Sequence, residues 1–114
     1  MHMESLESTL TALADPTRRR ILGRLAQGTA TVTELVQNFE LTQPTISSHL
    51  KVLERSGLIS RYRVGNTRPC KLEPKGLTIL THWLEDLRTV YEQNYARLDR
   101  VLEDMKRANE TGEK

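Results

Sequence analysis

The residues with the most chemistry to offer lie between Leu41 and Gly57, in the run Leu-Thr-Gln-Pro-Thr-Ile-Ser-Ser-His-Leu-Lys-Val-Leu-Glu-Arg-Ser-Gly. Gln43, Thr45, Ser47 and Ser48 carry amide and hydroxyl groups, which can exchange hydrogen bonds with the edges of DNA bases. Lys51 and Arg55 follow with cations suited to phosphate oxygens. To act together these side chains must share one helix, and the run carries the signals of one. Thr42 can cap it through its hydroxyl, with Gln43 and Pro44 in the first turn, where a missing N–H costs nothing. Gly57 supplies the left-handed residue that ends it. Ile46, Leu50 and Leu53 recur at spacings of 4 and 3, one apolar stripe at helical period. A plain solvated helix would carry Glu–Lys pairs on its outer side, whereas residues 42 to 48 hold no charged side chain.

The elements that must position this helix can be read on either side of it. Ser5 to Ala14 spaces Leu6, Leu10 and Leu13 helically, with Ser5 as cap. Asp15-Pro16 breaks and restarts the chain, Asp15 capping a second helix that buries Ile21, Leu22 and Leu25 and ends near Gln27 and Gly28. The Arg18-Arg19-Arg20 run at its start reads as a solvated side with one intramolecular pair in preference to a DNA contact. Thr31-Val32-Thr33-Glu34 is a capping box opening a short third helix with Leu35, Val36 and Phe39 inward. Only the residues around Glu40 and Leu41 separate it from the polar helix, which is the connection of a helix-turn-helix. Beyond Gly57 the period changes. Leu58–Val64 and Pro69–Glu73 read as two short strands around Gly65-Asn66-Thr67-Arg68, with Gly and Asn at positions of positive φ and Pro69 confining its strand to an edge. Arg61, Arg63, Asn66 and Arg68, together with Thr42, Lys51 and Arg55, form the expected phosphate-contacting set.

Charge supports the same reading. The chain of 114 residues has a net charge of only +2. Residues 41 to 75 hold seven cations against two acids, a balance of +5, while residues 76 to 114 hold six cations against eight acids. The basic charge is therefore gathered around the polar helix, where it attracts a polyanion with an affinity that falls as salt rises. The length and 37% hydrophobic content fit one domain over residues 1–114, with a modest core and five aromatic residues. No apolar run is long enough to span a membrane, no secretory signal is visible, and a single cysteine excludes an internal disulfide framework and suits a reducing cytoplasm.

The last third of the chain reads differently. Leu77, Leu80, Leu84, Leu87, Tyr91, Asn94, Leu98, Val101 and Met105 alternate spacings of 3 and 4 without a slip. A helix over residues 75–108 with such a stripe is too long for one small domain to cover, so its expected partner is the same helix of a second copy. Leu84, Leu87, Tyr91, Leu98 and Val101 are then interface residues, and Asn94, the polar member, fixes register.

Three segments together, Leu13-Ala-Asp-Pro-Thr-Arg-Arg-Arg-Ile-Leu22, Gln43-Pro-Thr-Ile-Ser-Ser-His-Leu-Lys-Val-Leu53, and Gly57-Leu-Ile with the basic hairpin after it, resemble the ArsR/SmtB-type winged-helix transcriptional regulators. The resemblance covers roughly residues 5 to 95. It implies a mostly α fold with a small β-hairpin, in the order four helices, two strands and a long helix. It also implies a homodimer whose first and last helices, with Leu6 and Leu10 on the first, form the interface. The paired reading helices would enter successive major grooves of a palindromic double-stranded operator, about 34 Å apart. It matches the family's base-reading positions with Gln43, Thr45, Ser47, Ser48 and His49. Many relatives sense metals through a Cys-x-Cys pair on the third helix, but here Val36 and Asn38 stand near that place; the last helix has one histidine, His82. A soft-metal site needs three or four convergent thiolates or imidazoles, so the expectation is a metal-independent repressor without a cofactor.

An alternative on the same scaffold is a ligand- or redox-gated sensor, with Cys70 activated by the nearby Arg68 and Lys71; against it stands a small residue packed beside Leu72. A third reading, a protein-interaction module built on the long helix, leaves the +5 patch unexplained. No nucleophile–base pair, carboxylate pair or Gly-rich phosphate loop suggests an enzyme. Operator sequence, target genes and any small-molecule effector have no signature in the chain.

Overall fold

The computed structural model describes the backbone of residues 2–112 and the side chains of residues 6–110. Its elements are α1 (His2–Leu13), α2 (Pro16–Leu25), α3 (Val32–Phe39), α4 (Gln43–Arg55), β1 (Ile59–Arg61), β2 (Cys70–Leu72), a 3₁₀ turn (Pro74–Leu77) and α5 (Thr78–Gly112). They fall into two compact units, residues 1–80 and residues 81–114.

In the first unit the helix boundaries follow their capping chemistry. The Asp15 carboxylate accepts from the backbone N–H groups of Thr17 at 2.8 Å and Arg18 at 3.1 Å, with Pro16 behind it at the helix start. The N–H donated by Arg18 is the main reason its carboxyl is held below the usual range. Thr31 and Glu34 close a reciprocal capping box, which likewise lowers the Glu34 carboxyl. Glu40 ends α3 in the left-handed region, φ 54°, and residues 40–42 make the turn into α4. α1 begins at His2, ahead of the cap expected at Ser5, whose side chain lies outside the described residues.

The core gathers Ile21, Leu22 and Leu25 of α2, Leu35 of α3, Ile46, Leu50 and Leu53 of α4, and Leu58, Ile59 and Cys70 of the hairpin. On α1 the leucine stripe is not the buried side. Thr9 and Ala12 enter the interior, while Leu10 stays 39% exposed and Leu6 and Leu13 are half-buried. Small residues let α1 lie close to its neighbours, and the larger leucines are left toward the outside.

The antiparallel pair β1–β2 joins Ile59 to Leu72, Ser60 to Lys71 and Arg61 to Cys70. Val64 and Thr67 close the tip around Gly65 and Asn66, with positive φ at Gly65 only, so Asn66 does not use the conformation expected of it. β2 is also not a free edge. Ala30, in the loop between α2 and α3, exchanges two backbone hydrogen bonds with Cys70, at 2.7 and 3.1 Å. The sequence gives no warning of this bridge, because one residue cannot show strand periodicity.

The last helix starts at Thr78, later than the expected residue 75, after the 3₁₀ turn, and runs past the expected residue 108 to Gly112. Leu77, the first member of the long stripe, packs on the core of the first unit. In the second unit a single helix has nothing of its own to cover its apolar residues. Trp83, Leu84, Leu87, Val90, Tyr91, Tyr95, Leu98, Val101, Leu102 and Met105 are 41–64% exposed in the single chain. Tyr91 and Tyr95 meet with ring centroids 5.0 Å apart, and Arg88 pairs with Glu92 one turn on. No helix among the described residues is long and apolar enough to cross a membrane.

Candidate nucleic-acid interface

α4 is fixed from beneath and open above. Ile46, Leu50 and Leu53 are fully buried, and each such side chain contributes about 1.5–3 kcal/mol by leaving water. That anchoring makes the outer side a rigid platform. At its front the Thr42 hydroxyl accepts from Thr45 N–H at 3.4 Å and meets the Thr45 hydroxyl at 2.8 Å, so Thr42 acts as a cap as well as an exposed polar group. At its back Gly57 takes φ 79°, Gly57 N–H bonds Glu54 C=O and Leu58 N–H bonds Leu53 C=O, both at 3.0 Å. This paired closure turns the chain sharply into β1 and seats Leu58 in the core.

The outer side carries most of the side chains expected there. Gln43, Thr45 and Ser48 are exposed in the first two turns, and Lys51 and Arg55 continue the line of Ser48 at helical spacing. Ser47 and His49 are half-buried flanks of that line. At the hairpin, Arg63, Asn66 and Arg68 sit exposed around the tip. Arg61 does not join them: it is half-buried at the hairpin base, paired in register with Cys70, and its Nε is buried without a partner among the described residues. The exposed cations of α4 and the hairpin tip therefore border a polar, mostly uncharged helix front, the composition of a surface that meets phosphates around base edges.

The arginine run at the start of α2 works inside the chain. Arg18 donates from Nε to Ala12 C=O at 2.7 Å and from Nη2 to Thr11 C=O at 3.1 Å, while Arg19 donates to Leu13 C=O at 2.7 Å and Ala14 C=O at 3.2 Å. Two guanidinium groups thus satisfy carbonyls at the end of α1, more than the single intramolecular pair expected. Arg24, which no motif singles out, ties α2 to α3 through Asn38 Oδ1 at 3.1 Å. The sequence signal for all three is the cation itself, which names a donor and not its acceptor.

Cys70 is the packed residue that stands against the redox alternative. Its side chain is fully buried, and burial pushes the thiol pKa up in spite of the neighbouring Arg61 and Arg68. In the native protein at neutral pH a thiol reagent should therefore modify Cys70 at least about tenfold more slowly than in the denatured chain. Equal alkylation rates would return the redox reading to contention. Among the described residues no three His, Cys, Asp or Glu side chains gather as a metal site within the chain.

A family model described as "Bacterial regulatory protein, arsR family" matches residues 15–61, spanning α2 through β1. The HTH-type transcriptional regulator Rv2034 from Mycobacterium tuberculosis is 40% identical over 87 residues, 76% of this chain and 81% of that protein. The chain belongs to the arsR family. It is accordingly a DNA-binding transcriptional regulator and not an enzyme. This arsR-family chain is also similar to the arsenical resistance operon repressor of Staphylococcus xylosus, 30% identical over 78% of this chain and 86% of that one. Among solved structures, the ArsR family transcriptional regulator RHA00566 superposes with a TM-score of 0.72 at 40% identity, covering 78% of this chain and 92% of that one. A homodimeric winged helix-turn-helix DNA-binding domain from Mycobacterium bovis shares the fold at 23% identity, TM-score 0.63, over 76% and 81% of the two chains. The winged helix-turn-helix expected from the sequence is the fold observed, with α3–α4 as its helix-turn-helix and β1–β2 as its wing.

Proposed function

We propose that this arsR-family regulator is a homodimeric repressor that occupies an inverted-repeat operator near a promoter, its own among its targets, without sensing a metal. The observation that carries the reading is the outer side of α4, anchored by three buried residues and bordered by exposed cations on helix and wing. Gln43, Thr45 and Ser48, with Ser47 and His49 on the flanks, read bases; Lys51, Arg55, Arg63 and Arg68 hold phosphates. Dimerisation through α1 and α5 would cover Leu10 and the stripe from Leu84 to Met105, which the single chain leaves exposed. One winged-helix domain per protomer, extended by its long last helix, then suffices for a two-half-site operator. Repression accords with the names of relatives such as the Staphylococcus xylosus protein. Its chromosomal ligand makes the cytoplasm the place of action.

Selection of random duplexes on the purified protein, repeated with a chelator and with added zinc, tests this reading. An enriched inverted repeat indifferent to both supports it, whereas release by zinc would reveal a ligand set assembled across the dimer, and no enrichment would favour the interaction module. On the selected operator Gln43→Ala is expected to cost about 1–3 kcal/mol and to relax preference at one base pair. Equal weakening on every sequence would remove Gln43 from the base-reading set. Arg63→Ala should instead weaken binding on all duplexes and lower the slope of log affinity against log salt by about 1.

A further inference from the structure

Arg18 reaches the reading helix as well as α1. Its Nη1 lies 3.3 Å from His49 Nδ1, while Nε and Nη2 are held by the carbonyls of Ala12 and Thr11. A guanidinium has donors and no acceptor, so the ring nitrogen facing it must accept. A neutral imidazole that accepts at Nδ1 carries its proton on Nε2. The two bonds to α1 fix the guanidinium independently of the ring, so the tautomer is imposed on His49. The nearby Asp15 carboxylate, itself held by the amides of Thr17 and Arg18, balances the local positive charge. His49 lies one turn beyond Thr45, half-buried, and its Nε2 has no partner among the described residues.

We propose that Arg18 is a positioning residue for DNA contact: it locks His49 as the Nε2–H tautomer, and that N–H donates to an acceptor on bound duplex, a phosphate oxygen or a guanine N7 or O6. The proposal rests on the DNA-binding reading above. It also gives the end of α1 a direct mechanical link to the reading helix.

Nitrogen-15 spectra of the free protein labelled at histidine test the lock without DNA. His49 should show a protonated Nε2 and an unprotonated Nδ1 in the wild type, and a mixture of tautomers in Arg18→Ala. A protonated Nδ1 in the wild type overturns the lock. Affinities for duplexes that the wild type selects from a random pool test the contact. His49→Gln, whose amide N–H reaches the Nε2 position, should stay within about threefold of wild type, and His49→Asn, which ends at the Nδ1 position, should lose about tenfold. Equal affinities of these two variants overturn the contact. Arg18→Ala, whose tautomer mixture still contains the Nε2–H form, should lose less than His49→Asn, about two- to threefold, and add little to it in the double variant. The same loss in both backgrounds would make Arg18 merely structural and overturn its positioning role; should Arg18→Ala fail to fold, the histidine variants and the wild-type spectrum still decide. Loss spread over all sequences identifies a phosphate acceptor, and loss confined to one base pair a guanine edge. A wild type with the locked ring that retains no duplex at low salt would overturn the DNA-binding reading itself, and the contact with it.

Discussion

Replacing Leu87 and Leu98 with glutamate is expected to give a folded monomer whose affinity for the full operator is lower by a factor of about 10²–10⁴. Both side chains are about half exposed, at 52% and 53%, and both lie outside the residue 1–80 unit that contains the core. The substitutions therefore remove no buried contact within the chain, and glutamate is a good helix former. In a dimer the same carboxylates would be buried without partners, which costs far more than an exposed leucine gains. Binding by one protomer should persist: affinity for an isolated half-site is expected to stay near that of a wild-type protomer, because α4 and the wing are untouched. What disappears is the second half-site engaged at high effective concentration. Sedimentation equilibrium gives the mass, circular dichroism the helix content, and titration of half-site and full-site duplexes the two affinities. A variant that remains dimeric would show that the stripe is not the interface. A monomer that holds the full operator as tightly as the wild type would show that pairing is not needed for recognition.

That stripe also shows which parts of this protein its sequence reveals. Regular spacing is legible because it reports one element's face, and the stripes of α2, α4 and α5, the caps at Asp15, Thr31 and Thr42, and the stop at Gly57 are all readable. The exposed members of the proposed DNA-facing set follow from the same periodicity, since what is not on the buried side of α4 must be on the other. What stays hidden depends on which partner a residue finds across the fold. On α1 the leucine spacing marks a helix, but it does not show that Thr9 and Ala12 fill the interior side. Cys70 looks activated by nearby cations along the chain, yet Ala30 and Arg61 enclose it and burial dominates. The arginine run promises one intramolecular pair on a solvated side, but both Arg18 and Arg19 hold carbonyls at the end of α1.

Gly76 is a further residue whose role only the fold exposes, and it carries the second large prediction. It sits in the 3₁₀ turn between β2 and α5, where a Cβ would be driven into the carbonyl oxygen of Gly57, 2.7 Å from its carbon and 3.0 Å from Leu58 Cα. All three obstacles are backbone atoms at the closure of α4, and backbone cannot swing aside as a long side chain can. Gly76→Ala is therefore expected to destabilise the protein by at least about 2 kcal/mol. At about 4–8 °C per kcal/mol for a unit of this size, the melting temperature should fall by roughly 8–16 °C. The same substitution at Gly23 should have the opposite sign. Gly23 is an exposed residue within α2, and nothing lies within 4 Å of the position its Cβ would take. Alanine there relieves the conformational cost of glycine in a helix and stabilises by about 0.5–1 kcal/mol. Denaturant titration of the two variants measures both changes on one scale. A Gly76→Ala protein as stable as wild type would mean that the turn into α5 can retreat from Gly57, and that the end of the reading helix is not held by this contact.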